Sequence, residues 1–293
     1  MKIALLMRDD PNTMYNGLST YCSEITKALK ARGHEIEWFI GKTDYATMKL
    51  GGKIPARFDL IYCVSLPYGK NVKLPMVAKC NSPLKEEGKY YPGLKKLKGL
   101  LGQYAEVATL SKARAVISVS KFTHDILKEE YSAESVVIPD GVDSEFYHPM
   151  QWAQTKPFMA HRSRDEPRKN MAGIRLAMNH LGDRVNWTIH IQEADIFLTT
   201  SFSEAFNISL LEAMASGCAC LASDIPAHRE LIRQGIDGYL FGDETEMKEH
   251  LDDLIEFPEL RKMLGGYARE KAKNYTWSRT AELTEKVYKS VVG

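Results

Sequence analysis

Two carboxylates, Glu204 and Glu212, stand eight positions apart in a stretch whose pattern suits a binding site. The apolar run at residues 196–200 predicts a buried strand, and Glu212 falls in the first turns of a helix that Gly217 ends. A strand, a short loop and a helix N-terminus together present backbone N–H groups and side chains to an anion or a sugar. The spacing therefore predicts a polar site built around these two carboxylates.

Glu212 also has a simpler interpretation. Ser209 and Glu212 fit the spacing of a capping box, in which Glu212 would only accept a backbone N–H bond at the start of the helix. Taken alone, this local interpretation and a binding role are about equally acceptable. The strand before the pair and the apolar run 218–223 after its helix favour the binding role.

Alternating strands and helices must position these residues. Short apolar runs predict strands at residues 2–7, 35–40, 60–64, 76–78, 115–118 and 136–138 in the first half. Helical spacing occupies residues 20–32 and 123–130, and a second strand–helix alternation begins at Phe158. Such alternation predicts parallel, doubly wound sheets, in which ligands bind beyond the carboxyl ends of the strands.

The segment 201–217 resembles the Glu-x7-Glu motif of retaining glycosyltransferases of family 4, which have the GT-B fold. The residues 137–143 (Val-Ile-Pro-Asp-Gly-Val-Asp), followed by Phe146 and Pro149, resemble the ending of that family's first domain. The resemblance implies an α/β protein with two Rossmann-like domains facing a cleft. It also implies that Glu204 contacts hydroxyls of the donor sugar and that Glu212 contacts the ribose of the nucleotide.

A basic loop follows the strand at Phe158. Arg164 and Lys169 resemble the family's Arg-x4-Lys pair, which holds the donor diphosphate and neutralises the charge on the leaving group. Arg162 and Arg168 compete for these roles, so the register stays open, and a solvated basic loop is the alternative. Resemblance to the family implies that the cations act without a metal or another cofactor, and that a nucleoside-diphosphate sugar is the donor substrate.

The donor side includes the residues around the start of the helix. Ala205 and Asn207 replace glycines of the family's usual Gly-Phe-Gly, and we expect Phe206, Asn207, Ile208 and Ser209 to line the diphosphate. Gly17 keeps one of two glycines that the family usually has before its first long helix. A glycine there lets the backbone approach a phosphate, and a simple tight turn is the alternative.

Three further residues are acceptor-side candidates: Asn16, Asn81 and Ser120. Asn81 stands near the position where family members often carry a histidine. An asparagine can hydrogen-bond a sugar hydroxyl but cannot act as an acid or a base. The front-face displacement proposed for the family needs no enzymic base, so this replacement is compatible with catalysis.

The chain of 293 residues is long enough for two domains. We expect an N-terminal acceptor domain at residues 1–148, a linker at 149–157, a donor domain at 158–274 and a final helix, 275–293, that packs back across the domains. By comparison with the family, on the order of 50 residues are missing between Lys169 and Glu204. These residues usually build the pocket for the base, so the second domain is expected to be truncated.

Composition excludes several classes of protein. The net charge is +1, with +4 over residues 1–148 and −3 over 149–293, which argues against a dedicated nucleic-acid binder. No apolar run is long enough for a transmembrane helix or a signal peptide, so a cytoplasmic location is expected. The five cysteines have no paired spacing and suit a reducing compartment. Cys218 and Cys220 share a strand face, but no further ligands for a metal stand near them.

Residues 85–98 combine five lysines with apolar and tyrosine side chains. This segment suits peripheral contact with an anionic membrane, contact with a nucleic acid or an anionic glycan, or a solvated loop. The resemblance to the family implies a metal-independent, retaining glycosyltransferase that moves a hexose-like sugar from a nucleoside-diphosphate sugar to a glycan, a lipid or another acceptor. The alternatives are a binding module or one subunit of a two-part transferase, and a transferase acting on modified nucleic acid. The oligomeric state stays open.

Overall fold

The computed structural model describes residues 1–8, 10, 17–42, 44–91, 94–147, 156–162 and 166–293. The chain divides into two compact α/β units. The first unit comprises residues 1–140 with 277–293, and the second comprises residues 141–276. Residues 141–147, which the sequence analysis assigns to the first domain, thus lie in the second unit. The expected linker at 149–157 falls almost entirely outside the described residues.

The first unit is built on a sheet of six parallel strands. They are β1 (Lys2–Met7), β2 (Glu35–Ile40), β3 (Leu60–Cys63), β4 (Met76–Cys80), β5 (Ala115–Ser118) and β6 (Val136–Val137). The order across the sheet is β2-β1-β3-β4-β5-β6. The strands β1, β3 and β4 are almost entirely buried, as expected for parallel strands covered on both faces.

Five helices of the first unit connect these strands. They are α1 (Gly17–Ala31), α2 (Asp44–Gly51), α3 (Leu84–Glu87), α4 (Leu94–Leu110) and α5 (Lys121–Tyr131). Helix α1 buries Tyr21, Cys22, Ile25 and Leu29, whose spacing places them on one face. Gly33, with φ +85°, turns the chain into β2.

The second unit contains a separate sheet of five parallel strands. They are β7 (Phe158–Ala160), β8 (Asn186–Thr188), β9 (Ile196–Thr199), β10 (Ala219–Ser223) and β11 (Tyr239–Phe241), in the order β11-β10-β9-β7-β8. Strand β8 is short, because the chain turns into a 3₁₀ helix at Ile191–Glu193 soon after it. Ile191 is buried there and packs from the turn instead of from the sheet.

Helices cover this second sheet. They are α6 (Met171–Leu181), α7 (Ile208–Ala215), α8 (Pro226–Leu231), α9 (Glu244–Glu256) and α10 (Pro258–Ala272). The core joins Leu198 and Leu221 of the sheet to Ile174, Leu251 and Leu264 of the helices. The strands β7, β9 and β10 are neighbours in the sheet, so the loops that follow them meet at one edge.

The last helix, α11 (Trp277–Val292), belongs to the first unit. Its Trp277, Tyr288 and Val291 join the core that contains Tyr21 and Tyr62. The Arg32 side chain donates from Nε to Glu285 of α11 at 2.7 Å, which fixes the helix against α1. All the strands and helices together confirm an α/β fold with two parallel sheets.

Two further findings concern the whole described chain. All five cysteines are buried and carry free thiols. None of the helices described combines the length and the apolar character needed to cross a membrane.

Candidate functional site

Glu204 lies at the centre of a buried ion-pair cluster in the second unit. It stands in the loop between β9 and α7, and only 6% of the residue is exposed. Its Oε1 accepts from Lys169 Nζ at 2.5 Å and from Ser201 Oγ at 2.7 Å. Its Oε2 accepts from Arg168 Nη1 at 3.1 Å. The carboxylate is therefore held in one orientation by three donors.

The charge of Glu204 follows from these contacts. Burial alone would raise the pKa of Glu204, but the adjacent Lys169 and Arg168 outweigh it and hold that pKa below its usual value. Glu204 is thus an anion at neutral pH in a site from which most water is excluded. An oriented carboxylate of this kind accepts hydrogen bonds from the hydroxyls of a ligand.

Lys169 and Arg168 occupy a 3₁₀ turn, Pro167–Lys169, that follows β7. Asn170 ends the turn with φ +49° and caps α6 by accepting from the Gly173 N–H at 3.2 Å. Arg168 also pairs with Glu166 at 3.2 Å, so it is shared between two carboxylates. Lys169 also lines a small pocket beside Glu204.

A small pocket opens beside Glu204, with about 210 Å³ of empty space, part of it open to solvent. It is lined by two cations and by side chains from β9 and the start of α7: Arg162, Lys169, Phe197, Thr199, Ser201, Asn207 and Ser209. The start of α7 adds partial positive charge at this point through the helix dipole, while the Leu210 N–H is capped by Asn207. The arrangement suits an anion such as a phosphate group.

Glu212 lies within α7 and is also buried. The Tyr147 hydroxyl donates a hydrogen bond to its carboxylate. Burial raises the pKa of Glu212, while this hydrogen bond and nearby Arg162 partly oppose the shift. Burial and the neighbouring carboxylate raise the pKa of Tyr147 well above its usual value, so its hydroxyl keeps its proton.

The capping-box interpretation of Glu212 is wrong in this structure. The N-cap of α7 is Asn207, whose Oδ1 accepts from the Leu210 N–H at 3.2 Å. Ser209 therefore lies inside the helix, and Glu212 is two residues beyond the position at which it would close a capping box with Asn207. Its carboxylate meets Tyr147 instead of a backbone N–H at the helix start.

The other donor-side candidates take different positions. The side chain of Phe206 is buried, with its ring 6.1 Å from that of Tyr275, so it packs in the second unit. Ile208 is half-buried at the first position of α7. Gly17 is the exposed first residue of α1. Arg164 and Asn16 lie outside the described residues.

The two described acceptor-side candidates lie in the first unit, after β4 and β5. Asn81 Oδ1 accepts from Lys79 Nζ at 2.6 Å, and its amide nitrogen donates to the Val64 carbonyl. Lys79 is fully buried and pairs with Asp140 at 2.8 Å. Both ends of the Asn81 amide are therefore already engaged.

Ser120 is the N-cap of α5, where its Oγ accepts from the Thr123 N–H at 3.0 Å. It is buried, and its hydroxyl also lies 3.0 Å from Thr123 Oγ1. The structure thus gives it a capping function. A role for Asn81 or Ser120 toward an acceptor stays a prediction.

Several members of the site carry no recognisable signal in the sequence. Tyr147 contacts Glu212, and Ser201 contacts Glu204. His228 contacts Asn207. The sequence marks Arg168 only as a competitor for the diphosphate and carries no sign of its pairing with Glu204. Apart from Ser201, which stands three positions before Glu204, these residues are distant in sequence from their partners. No periodic pattern marks such contacts.

Comparisons with known proteins agree with this fold. Residues 178–271 match the family described as "Glycosyl transferases group 1". The chain is 34% identical over 100 residues, 33% of its length, to the "Putative glycosyltransferase EpsD" of Bacillus subtilis, of which this region covers 26%. The matched regions span about a quarter of each of the first curated relatives.

Solved structures resemble the whole chain. The sucrose-phosphate synthase of Thermosynechococcus elongatus aligns over 99% of this chain and 98% of its own, with a TM-score of 0.86 and 16% identity. The Anabaena protein HepE, solved in complex with UDP and glucose, aligns over 99% of this chain and 100% of its own, with a TM-score of 0.74 and 16% identity. The fold is that of the GT-B glycosyltransferases. Together, the family match and these neighbours support a glycosyltransferase.

Proposed function

We propose that the chain is a metal-independent, retaining glycosyltransferase that moves a sugar from a nucleoside-diphosphate sugar to a glycan, a lipid or another acceptor. The observation that carries the proposal is the joint placement of Lys169 and Glu204 beside a pocket at the start of α7. A cation, an oriented carboxylate and a helix N-terminus are what a sugar diphosphate requires from its site.

The diphosphate binds in the pocket, where Lys169 and Arg162 lie. As the bond between the sugar and the phosphate breaks, negative charge grows on the departing phosphate. Fixed cations and the N–H groups of α7 stabilise this charge at little reorganisation cost because they are already in place. We expect Arg164 to add a further cation, as its family motif implies.

The sugar and the ribose use the two carboxylates. Glu204, an anion held by three donors, accepts hydrogen bonds from hydroxyls of the donor sugar. Glu212 accepts from the ribose, with Tyr147 setting the orientation of the carboxylate. Phe206, Asn207, Ile208 and Ser209 shape the helix start through their backbone.

The chemistry is a front-face displacement. The acceptor oxygen forms a bond to the anomeric carbon on the face from which the phosphate oxygen departs. The acceptor's proton passes to that phosphate oxygen, so no enzymic base is needed. Asn81 in place of a histidine is compatible with this route, because the proton passes directly from the acceptor to the phosphate.

UDP-sugars are the first donors to test, because HepE was solved with UDP and glucose. We would measure thermal unfolding of the purified chain with UDP, GDP, ADP and their sugar conjugates, with a chelator present. A nucleotide at about 100 times its Kd stabilises the fold by about 2.7 kcal/mol. Such a gain raises Tm by several degrees, at about 2–4 °C per kcal/mol.

A shift with one nucleotide, followed by transfer of its sugar in the presence of the chelator, supports the proposal. The anomeric configuration of the product, read by NMR, tests retention. A shift without transfer to any acceptor favours a binding module or a subunit of a two-part transferase. The absence of any shift overturns the donor site, as expected if residues for the base pocket are missing.

The salt dependence of binding distinguishes a nucleic-acid acceptor from a glycan or a lipid. Binding to duplex DNA that weakens steeply between 50 and 200 mM salt, as phosphate contacts predict, would support it over a glycan or a lipid. A cytoplasmic location and peripheral contact through residues 85–98 stay predictions. Vesicles with and without anionic lipid would test the latter.

A further inference from the structure

His228 is a buried imidazole beside the proposed donor site. It lies in α8, and 0% of the residue is exposed. Its Nδ1 is 2.8 Å from the carbonyl oxygen of Ser223, and its Nε2 is 2.9 Å from the amide nitrogen of Asn207. A carbonyl only accepts, so Nδ1 carries the proton and Nε2 accepts from Asn207. The imidazole is therefore neutral, with a tautomer set by its neighbours.

Asn207 is oriented by three contacts. Its Oδ1 accepts from the Leu210 N–H at 3.2 Å, while its Nδ2 points to His228 and lies 3.4 Å from Thr199 Oγ1. A flipped amide would set Oδ1 against the lone pair of His228 and Nδ2 against the Leu210 N–H. Both hydrogen bonds would then be lost, so His228 fixes which way the amide faces.

The backbone of Asn207 lies in the left-handed region, with φ +75° and ψ +74°. Asparagine adopts this region more readily than most residues, because its short polar side chain can hydrogen-bond locally. The amide contacts to α7 and His228 hold it in this conformation. The same backbone conformation sets the direction of the first N–H groups of α7, and Asn207 and Ser209 both line the pocket.

We propose that His228 is a positioning residue that, through Asn207, holds the N-terminus of α7 in the orientation that binds the diphosphate of the donor. This inference rests on the proposed function, because it concerns the diphosphate subsite of the same pocket. His228 touches no part of the donor itself. Its effect should therefore fall on the phosphates and spare the nucleoside.

The test measures binding of UDP and of uridine by calorimetry to wild type and to three variants: His228→Asn, Asn207→Gly and the double variant. Asparagine can still donate to Ser223 but is too short to accept from Asn207. Glycine adopts a positive φ without strain and needs no side chain to hold it. His250→Asn, at a half-buried imidazole stacked on Tyr239, is the matched control.

We expect His228→Asn to weaken UDP binding about tenfold, or about 1.4 kcal/mol, and to leave uridine binding unchanged. In the Asn207→Gly background the same substitution should change UDP binding less than twofold, because its partner is gone. His250→Asn should bind UDP as wild type does. Should His228→Asn fail to fold, His228→Gln retains an acceptor oxygen and should bind UDP within about threefold of wild type.

Three results overturn the inference: wild-type UDP binding by His228→Asn, equal losses for UDP and uridine, or an undiminished loss in the Asn207→Gly background. In each of them wild type still binds UDP, so the proposed function stands. If wild type binds neither UDP nor another nucleoside diphosphate, the proposed function fails and the inference falls with it.

Discussion

Lys169 Nζ lies 2.5 Å from Oε1 of Glu204, although 35 residues separate the two in the chain. The cation proposed for the diphosphate is thus already paired with the carboxylate proposed for the sugar. A bound donor does not meet isolated charges. It joins an ion pair that neighbouring strands hold in place, so removal of either partner changes both binding and stability.

Substitution of Glu204 by glutamine should lower turnover about 100-fold or more, because a neutral amide cannot match the carboxylate's hydrogen bonds to the sugar. It should also destabilise the fold by about 1–3 kcal/mol, since Lys169 and Arg168 lose their buried partner. Steady-state kinetics and urea unfolding check both effects. A wild-type transfer rate in this variant would contradict the role assigned to Glu204.

The same substitution should change the acid response. Because the pKa of Glu204 is lowered in the folded protein, its carboxylate stabilises the fold above its ordinary pKa of 4.5. That stabilisation is lost as pH falls below this value toward the lowered pKa. The difference in unfolding free energy between wild type and Glu204→Gln should therefore shrink between pH 6 and pH 3. An unchanged difference would contradict the assigned charge.

Alanine at Lys169 should weaken UDP binding about tenfold or more, because a hydrogen bond to a charged group contributes about 1.5–3 kcal/mol. Arg162→Ala should also weaken it, since Arg162 lines the same pocket. Arg168→Ala should have the smallest effect, because Arg168 is divided between Glu166 and Glu204. Calorimetry with UDP and UMP ranks the three. If Arg168→Ala gave the largest loss, the assignment of Lys169 would be wrong.

The substitution Tyr147→Phe should weaken ribonucleotide binding, because Glu212 loses the hydroxyl that orients its carboxylate. We expect a loss of about threefold to tenfold for UDP and a smaller one for 2′-deoxy-UDP, in line with a hydrogen bond of about 1 kcal/mol. Phe146→Leu, at an exposed neighbour, is the control. Equal losses with both nucleotides would show that Tyr147 does not act through the ribose.

Glu106 should make the first unit less stable as pH rises. It is buried in α4, where it accepts from Tyr131 Oη at 2.7 Å and from the Leu84 N–H at 3.1 Å. Burial raises the pKa of Glu106 from 4.5 to about 7. The folded protein therefore keeps a proton that the unfolded chain releases, and stability falls between pH 4.5 and 7.

The shift corresponds to at most about 3–4 kcal/mol across that window. In Glu106→Gln the fall should largely disappear, whereas Glu129→Gln, at an exposed position of α5, should retain it. Urea unfolding at pH 5 and pH 8 gives the comparison. A Glu106→Gln curve parallel to that of wild type would contradict the raised pKa.

Two glycines should respond in opposite directions to alanine. Gly238 has φ +151°, and a Cβ there would lie 2.8 Å from the carbonyl oxygen of Cys220, so Gly238→Ala should destabilise by about 2 kcal/mol or more. Gly266 is exposed inside α10, and a Cβ there would meet no described atom within 4 Å. Gly266→Ala should stabilise by about 0.5–1 kcal/mol. Equal effects on Tm would contradict this reading of the two backbones.

The sequence by itself determined many of the strands and the fold class. Apolar runs such as 196–200, which contains β9, marked the buried strands, because parallel strands covered on both faces need continuous apolar side chains. Gly217 marked the end of α7, because its φ of +78° suits a glycine. Motif resemblance located Glu204, Glu212 and the basic loop, and the α/β prediction with two sheets is confirmed.

Only the tertiary structure decided how these residues pair. The order β11-β10-β9-β7-β8 makes β7, β9 and β10 neighbours, so their following loops bring Lys169, Asn207 and His228 to one edge. Local periodicity reports which face of one element is buried, and it carries no information on which side chains meet across loops. For that reason the sequence located the basic loop and the two carboxylates, but the pairs Arg168–Glu204, Tyr147–Glu212 and Asn207–His228 became visible only in the folded chain.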